Sequence, residues 1–272
     1  MDKTNIDFSQ IAERYERYSS VQKSAADILL RLLEIQGTDD VLDLGCGAGN
    51  LTRKIRTMTN AKVVGIDPSD GMIKEARERS KGLDITFEVR HAEDINYKEW
   101  FDVVFSNSAF QWFRDQSKVI ERCSAALRKN GRIGIQAPAR KIYSPNFVEA
   151  VEDVKQDTKT KDIFARFNSP WFFMETANEY KHLFEDKGFS VVFSQIENIK
   201  TQYTPAEVFQ IFSSGAIAGY LNQDCYDIEI DEEYRERFKQ IIRDAFVRQA
   251  GSDGKVELVF NRLFLVAVKA DR

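Results

Sequence analysis

The sequence is poor in the residues that bind metals or form disulfide bonds. It has two histidines and three cysteines among 272 residues, and the cysteines show neither paired nor metal-ligand spacing. No cluster of histidine, cysteine and carboxylate residues stands out, so we predict no metal site. Unpaired cysteines favour a reducing compartment, and we therefore expect a cytoplasmic protein.

Long apolar runs and a strong net charge are also missing. No apolar run is long enough to span a membrane, and the N-terminus lacks the basic-then-apolar pattern of a signal peptide. The net charge is −4, which does not favour a nucleic-acid surface. We therefore expect neither a membrane nor a nucleic acid as a partner. The 43% of hydrophobic residues still allow a substantial core, and the sequence does not indicate an oligomeric state.

The most informative segment is a glycine-rich run from Val41 to Gly49. A short apolar stretch contains Asp43, and Gly45, Gly47 and Gly49 follow at alternate positions. Because glycine has no Cβ, the backbone can turn tightly here and a ligand can approach it closely. The run lies between a strand-like and a helix-like segment, which is where open α/β sheets bind nucleotides.

A second acidic residue, Asp67, ends the next apolar run. It lies 18 residues beyond Gly49, where a carboxylate can accept hydrogen bonds from both hydroxyls of a ribose. The glycine pattern is G-x-G-x-G, whereas a dinucleotide site needs G-x-G-x-x-G. Asp43 suits a ligand with a cationic end better than a pyrophosphate. Glycines alone are compatible with an ordinary turn, but the two aspartates favour a nucleoside cofactor.

Strand and helix patterns alternate through the first half of the chain, which predicts a parallel sheet covered by helices on both faces. The predicted strands are 40–44, 62–66, 85–89, 101–106 and 131–136. The predicted helices between them are 50–58, 70–80 and 117–129.

After Pro138 the alternation stops. Residues 140–175 are polar and aromatic and are interrupted by Pro145 and Pro170, so we predict an irregular segment. The later patterns predict a helix at 176–187, a strand at 189–196, helices beginning near Thr204 and Asp231, and a last strand at 258–268.

The glycine run and Asp67 resemble the first motif of class I S-adenosyl-L-methionine-dependent methyltransferases. A predicted N-terminal helix that contains Tyr15 and Tyr18 resembles the opening helix of the malonyl-acyl-carrier-protein, trans-aconitate and juvenile-hormone-acid methyltransferases. These enzymes methylate carboxyl oxygens. The resemblance covers residues 8–137 and becomes weaker beyond 140. It implies S-adenosyl-L-methionine as the cofactor and a Rossmann-like α/β fold with a seven-stranded sheet, an antiparallel last strand and helical cap insertions.

The resemblance also implies how the chain is organised. Residues 1–139 are expected to form an N-terminal lid helix and the cofactor-binding core. Segments 140–175 and 200–257 are expected to cover the substrate, and 176–199 and 258–272 complete the core sheet.

The resemblance implies a cofactor-binding role for each residue that matches a position of the family's motifs. The resemblance places Tyr15 or Tyr18 near the methionine carboxylate, Pro68 and Met72 beside the adenine, and Asn107 and Ser108 at the cofactor edge. It also places Cys46 in the glycine turn and the segment His91, Ala92 and Glu93 along the adenine edge. His91 is a departure, since the family has an aspartate there. The alternatives are a buried core position for Met72, a solvated loop for His91, and a helix packed on the sheet edge for the tyrosines.

Acceptor-binding positions are predicted at Gln111, Trp112 and Arg140. The first two follow the fourth strand, and Arg140 offers a guanidinium to a carboxylate, although a solvated surface charge is the alternative. The predicted function is methyl transfer to a small-molecule or acyl-carrier-bound acid, at a carboxylate oxygen that needs no general base. A hydroxyl or amine acceptor would need a base such as His91 or Glu93. Small-molecule N- or C-methylation, a non-catalytic cofactor-binding protein and a nicotinamide dehydrogenase are the alternatives.

Overall fold

The computed structural model describes residues 25–270. Tyr15 and Tyr18 lie outside the described residues, so their predicted roles stay predictions. Seven strands form one sheet in the order β3-β2-β1-β4-β5-β7-β6. Their bounds are β1 Val41–Leu44, β2 Val63–Asp67, β3 Thr86–Val89, β4 Phe101–Asn107, β5 Leu127–Pro138, β6 Phe189–Tyr203 and β7 Val256–Lys269.

The strands β1 to β5 pair in parallel, and the last strand is antiparallel. This confirms the predicted Rossmann-like seven-stranded fold. The helices are α1 Ala25–Leu33, α2 Asn50–Arg56, α3 Asp70–Arg79, α4 Gln116–Ala126, α5 Pro145–Gln156, α6 Lys161–Phe164, α7 Ala177–Glu185, α8 Pro205–Ser214, α9 Ala216–Tyr220 and α10 Glu232–Arg248. No helix within residues 25–270 is both long and apolar enough to cross a membrane.

The chain divides into two compact units. The first contains Met174–Ile196 together with the described residues up to Pro138 and from Leu263 onward. Its central strands are short apolar runs: every residue of β1 is buried, which is typical of a sheet covered on both faces.

The second unit contains Ala139–Phe173 and Glu197–Arg262. Its core is aromatic. The ring of Phe147 packs edge-on against that of Phe212 at 4.9 Å, and Phe212 in turn contacts Phe246 at 5.8 Å between ring centroids. Edge-to-face ring pairs of this kind stabilise a core by more than the burial of their apolar surface alone would.

Two predicted elements were wrong, one in each unit. Pro145 does not interrupt structure but lies in the first turn of α5, where proline is well tolerated because the first helical N–H groups need no partner. The predicted helix at 117–129 ends at Ala126, and β5 begins at Leu127 because this residue pairs with Phe101 of β4.

Candidate functional site

The glycine turn after β1 has a left-handed backbone at all three glycines. The φ angles of Gly45, Gly47 and Gly49 are 78°, 52° and 75°. A Cβ on Gly45 would lie 2.3 Å from Cβ of Ala109, and one on Gly49 would lie 2.9 Å from the ring of Phe87. A Cβ on Gly47 would meet no atom of residues 25–270 within 4 Å. Two glycines therefore allow close packing, while Gly47 faces space that these residues leave open to a ligand.

Asp67 is held beside this turn at the end of β2. Its Oδ2 accepts a hydrogen bond from the backbone N–H of Gly47 at 3.0 Å, and its Oδ1 accepts one from Ser69 at 2.9 Å. The carboxylate is partly exposed. Each carboxylate oxygen can accept a further hydrogen bond, so the group remains able to bind a diol.

Asp43 is almost fully buried within β1, at 2% exposure. Its Oδ2 accepts a hydrogen bond from Oγ1 of Thr52 at 2.6 Å. Burial raises the pKa of the Asp43 carboxyl to about 7; the Thr52 hydrogen bond opposes this rise and the Asp67 charge adds to it. A ligand cation nearby would favour the ionised form and lower that pKa again.

Cys46 is a buried residue of the turn rather than a nucleophile. Its Sγ lies 3.6 Å from the carbonyl oxygen of Gly47. Burial, followed by the charges of Asp43 and Asp67, raises the pKa of the Cys46 thiol well above its usual range. The thiol therefore stays protonated at neutral pH, which makes it unreactive.

The segment after Asp67 begins α3 and exposes a methionine. Oγ of Ser69 accepts the backbone N–H of Met72 at 3.3 Å and so caps the helix. Pro68 is exposed, and Met72 is 46% exposed. The alternative that Met72 is a buried core residue is therefore wrong, and its side chain can contact a ligand ring.

The segment after β3 forms a short turn, Ala92–Asp94. His91 precedes the turn, is exposed and makes no capping hydrogen bond with its side chain. Ala92 is buried, whereas Oε1 of Glu93 accepts the backbone N–H of Arg114 at 2.8 Å. Glu93 thus holds a neighbouring loop in place.

The carboxyl ends of β4 and β5 form a network of neutral polar groups around Ser108. Ser108 has a φ of 56°, and its backbone N–H donates to the carbonyl of Gln136 at 2.7 Å. Its hydroxyl donates to Oε1 of Gln136 at 3.2 Å, and Nε2 of Gln111 donates to the Ser108 carbonyl at 2.9 Å. Nδ2 of Asn107 lies 3.4 Å from the Ser108 hydroxyl. Trp112 ends the short turn that also contains Gln111, and it is partly buried.

Sequence reasoning missed Gln136. The feature that could have identified it is its polar side chain within the apolar run Ile133 to Ala137, where an apolar side chain is expected. The register of the sheet pairs it with Asn107 of β4, and its side chain is fully buried.

Arg140 belongs to the second unit and is exposed. Its φ is 67°, and within the described part of the chain it has no hydrogen bond or ion pair. Its role in acceptor binding stays a prediction.

Within residues 25–270, no group of three histidine, cysteine or carboxylate side chains is arranged so that it could hold a metal ion.

Comparison with known proteins identifies the family. Residues 35–188 match a family model described as a methyltransferase domain. The chain is also 32% identical over 275 residues to an uncharacterized methyltransferase of Schizosaccharomyces pombe, a match that covers 95% of this chain and 97% of the relative. The chain belongs to the methyltransferase family. The predicted family resemblance is thereby confirmed.

Two groups of relatives act on acids according to their names. The methyltransferase is 34% identical over 140 residues to the malonyl-[acyl-carrier protein] O-methyltransferase of Acetivibrio thermocellus, and the match spans half of each chain. It is 26% identical over 258 residues to the trans-aconitate 2-methyltransferase of Methylobacterium nodulans, covering 94% of this chain and 96% of that protein.

Solved structures share the fold of this methyltransferase. The YcgJ protein of Bacillus subtilis superposes with a TM-score of 0.60 at 16% identity, covering 91% of this chain and 98% of that one. Phosphoethanolamine N-methyltransferase 2 of Haemonchus contortus, solved with S-adenosyl-L-methionine, has a TM-score of 0.56 at 19% identity and covers 99% of this chain and 59% of that one.

Proposed function

We propose that this methyltransferase transfers a methyl group from S-adenosyl-L-methionine to a carboxylate oxygen of a small or carrier-bound acid. The observation that carries the cofactor part of the proposal is the pairing of Gly47 with Asp67. The glycine leaves open space at the turn, and the carboxylate is held beside it by a hydrogen bond of 3.0 Å from the same residue.

The charges and hydrogen-bonding groups of the residues present fit this cofactor. Asp67 would bind the ribose hydroxyls, and buried Asp43 would face a ligand that carries an ammonium and a sulfonium. Exposed Met72 and His91 would contact the adenine, and Ser108 would lie toward the methionine end. The cofactor itself supplies an electrophilic methyl group. The protein has to bind it, orient it and exclude water.

The neutral groups at the ends of β4 and β5 favour a carboxylate acceptor. Asn107, Ser108, Gln111 and Gln136 are amides and a hydroxyl, none of which is an effective base at neutral pH. A carboxylate is already ionised there, so alignment of its oxygen with the methyl group is sufficient.

His91 and Glu93, the two predicted general bases for a hydroxyl or amine acceptor, are poorly placed to take a proton from an acceptor at the end of β4. His91 follows β3, which is separated from β4 by β2 and β1. Neighbouring strands lie about 4.8 Å apart, so three strand spacings place His91 about 14 Å from the end of β4. Oε1 of Glu93 already accepts a backbone N–H.

The test is the chemical nature of the methylated product. We expect the purified full chain to transfer tritiated methyl groups from S-adenosyl-L-methionine to trans-aconitate or to malonyl-acyl-carrier protein. A methyl ester releases volatile methanol in mild alkali, whereas methyl groups on nitrogen or carbon do not. Alkali-labile label supports the proposal. Alkali-stable label, or no transfer to any acid, overturns the carboxylate assignment.

A further inference from the structure

Three side-chain amide atoms at the ends of β4 and β5 have no hydrogen-bond partner within residues 25–270. They are Oδ1 of Asn107, Oε1 of Gln111 and Nε2 of Gln136. Gln111 is 6% exposed and Gln136 is fully buried. A buried amide without a partner lowers stability, so three such atoms in one place need an explanation such as a ligand.

The network around Ser108 fixes where the free amide group of Gln136 points. The Ser108 hydroxyl donates to Oε1 of Gln136 at 3.2 Å, which leaves Nε2 as the unpartnered end. Ser108 makes these contacts from a left-handed backbone with a φ of 56°. That conformation is unfavourable for a residue with a Cβ, and residues held in it often belong to functional sites.

The position of Gln136 across the sheet separates it from the cofactor residues. The glycine turn follows β1, Asp67 ends β2 and His91 follows β3, whereas Gln136 lies on β5, on the other side of β4. Two strand spacings correspond to about 10 Å between the end of β1 and Gln136. A cofactor that runs from β3 to Ser108, at the end of β4, would end one strand before Gln136 on β5, which leaves this amide to the acceptor.

We propose that Nε2 of Gln136 donates a hydrogen bond to one carboxylate oxygen of the acceptor, and that Ser108 positions this donor. The inference rests on the proposed function and names the residue that selects for a carboxylate. With one oxygen held by the amide, the other oxygen is free to receive the methyl group. An ammonium group presents only donors to this donor and would be rejected.

The first experiment follows the side-chain amide signal of Gln136 by 15N NMR in the full chain. The signal is assigned by its loss in Gln136→Met. We expect S-adenosylhomocysteine alone to leave it in place, and trans-aconitate or malonate added to that complex to shift it downfield. A shift with S-adenosylhomocysteine alone would assign the amide to the carboxylate of the cofactor and overturn the proposal. The absence of a shift with any carboxylate would overturn it as well.

The second experiment compares variants in the transfer assay with trans-aconitate. We expect Gln136→Met to raise KM for the acid about tenfold while the affinity for S-adenosyl-L-methionine changes less than about twofold. Gln136→Glu should be worse still, because it places a carboxylate against a carboxylate.

The matched control is Gln116→Met. Gln116 is also a buried amide, at 8% exposure, but its Nε2 donates to the carbonyl of Phe113 at 2.6 Å. We expect this variant to lower Tm without changing KM. An unchanged KM in Gln136→Met overturns the proposal. If the wild-type chain does not bind S-adenosyl-L-methionine, the proposed function itself is contradicted, so the two failures are distinguishable.

Discussion

The two halves of the sheet edge differ in charge. The ends of β1 and β2 carry two aspartates beside a glycine turn, whereas the ends of β4 and β5 carry neutral amides and a hydroxyl. Carboxylates suit a cationic nucleoside with a diol, and free amide donors suit an anion. Under the proposed function, one edge of a single sheet would bind two ligands of opposite charge.

The largest change in cofactor affinity should come from filling the open space at the glycine turn. We expect Gly47→Ala to weaken the binding of S-adenosyl-L-methionine by about a hundredfold, since the new Cβ would occupy the ligand space. Calorimetric titration measures the change. Gly82→Ala is the matched control, because Gly82 has a φ of 83° and a Cβ added there would also meet no described atom within 4 Å. Both variants should lose similar stability from backbone strain; an equal loss of affinity in both would contradict the assignment of the turn.

The next effect concerns the pH dependence of cofactor binding. The Asp43 carboxyl has a pKa of about 7 without ligand, so it holds a proton below pH 7 that a cationic ligand must displace. Affinity for S-adenosyl-L-methionine should therefore rise with pH, by up to about tenfold per pH unit, and level off above pH 7. Asp43→Asn should abolish this slope. A wild-type affinity that does not change between pH 5.5 and 7 would contradict this role for Asp43.

The same carboxyl should affect the stability of the protein without ligand. Its pKa in the folded state exceeds the ordinary value of 3.8, so the folded chain retains a proton that the unfolded chain releases. The free energy of unfolding should then fall as pH rises from about 4 to about 7. Urea denaturation of the wild type and of Asp43→Asn measures this contribution as the difference between the two pH profiles. Parallel profiles would show that the Asp43 pKa is not raised.

The smallest effect is expected at Arg140. Its side chain is exposed, so its charge should contribute little, and Arg140→Gly should raise KM for a carboxylate only about threefold. The same change should raise Tm by about 2 °C, because glycine adopts a φ of 67° without strain. Arg140→Lys keeps the charge and should keep KM. A tenfold rise in KM for Arg140→Gly would assign the acceptor carboxylate to Arg140 rather than to Gln136.

The sequence was most informative where backbone geometry demands particular residues. Gly45, Gly47 and Gly49 could be predicted because left-handed backbone after a strand favours glycine, and the strands around them because they are short apolar runs. Helix α5 was missed since Pro145 was interpreted as a break, although Phe147 and Val151 already repeat at helical spacing.

Gln136 could not be recognised from the sequence because its significance depends on long-range contacts. A single polar residue in a strand becomes informative only when the register places it beside Asn107 and when its Nε2 finds no partner among the described residues. Likewise, the raised pKa of Asp43 depends on burial that only the folded chain creates.

Calorimetric titration of the wild type and of Asp67→Ala with S-adenosyl-L-methionine tests the central claim most directly. We predict binding of one cofactor per chain to the wild type and an affinity about tenfold weaker, or worse, in the variant, because a carboxylate that binds two hydroxyls is removed. Asp70→Ala removes an exposed charge from the first turn of α3 and should bind like the wild type. The absence of binding to the wild type, or equal affinity in Asp67→Ala, would contradict the account.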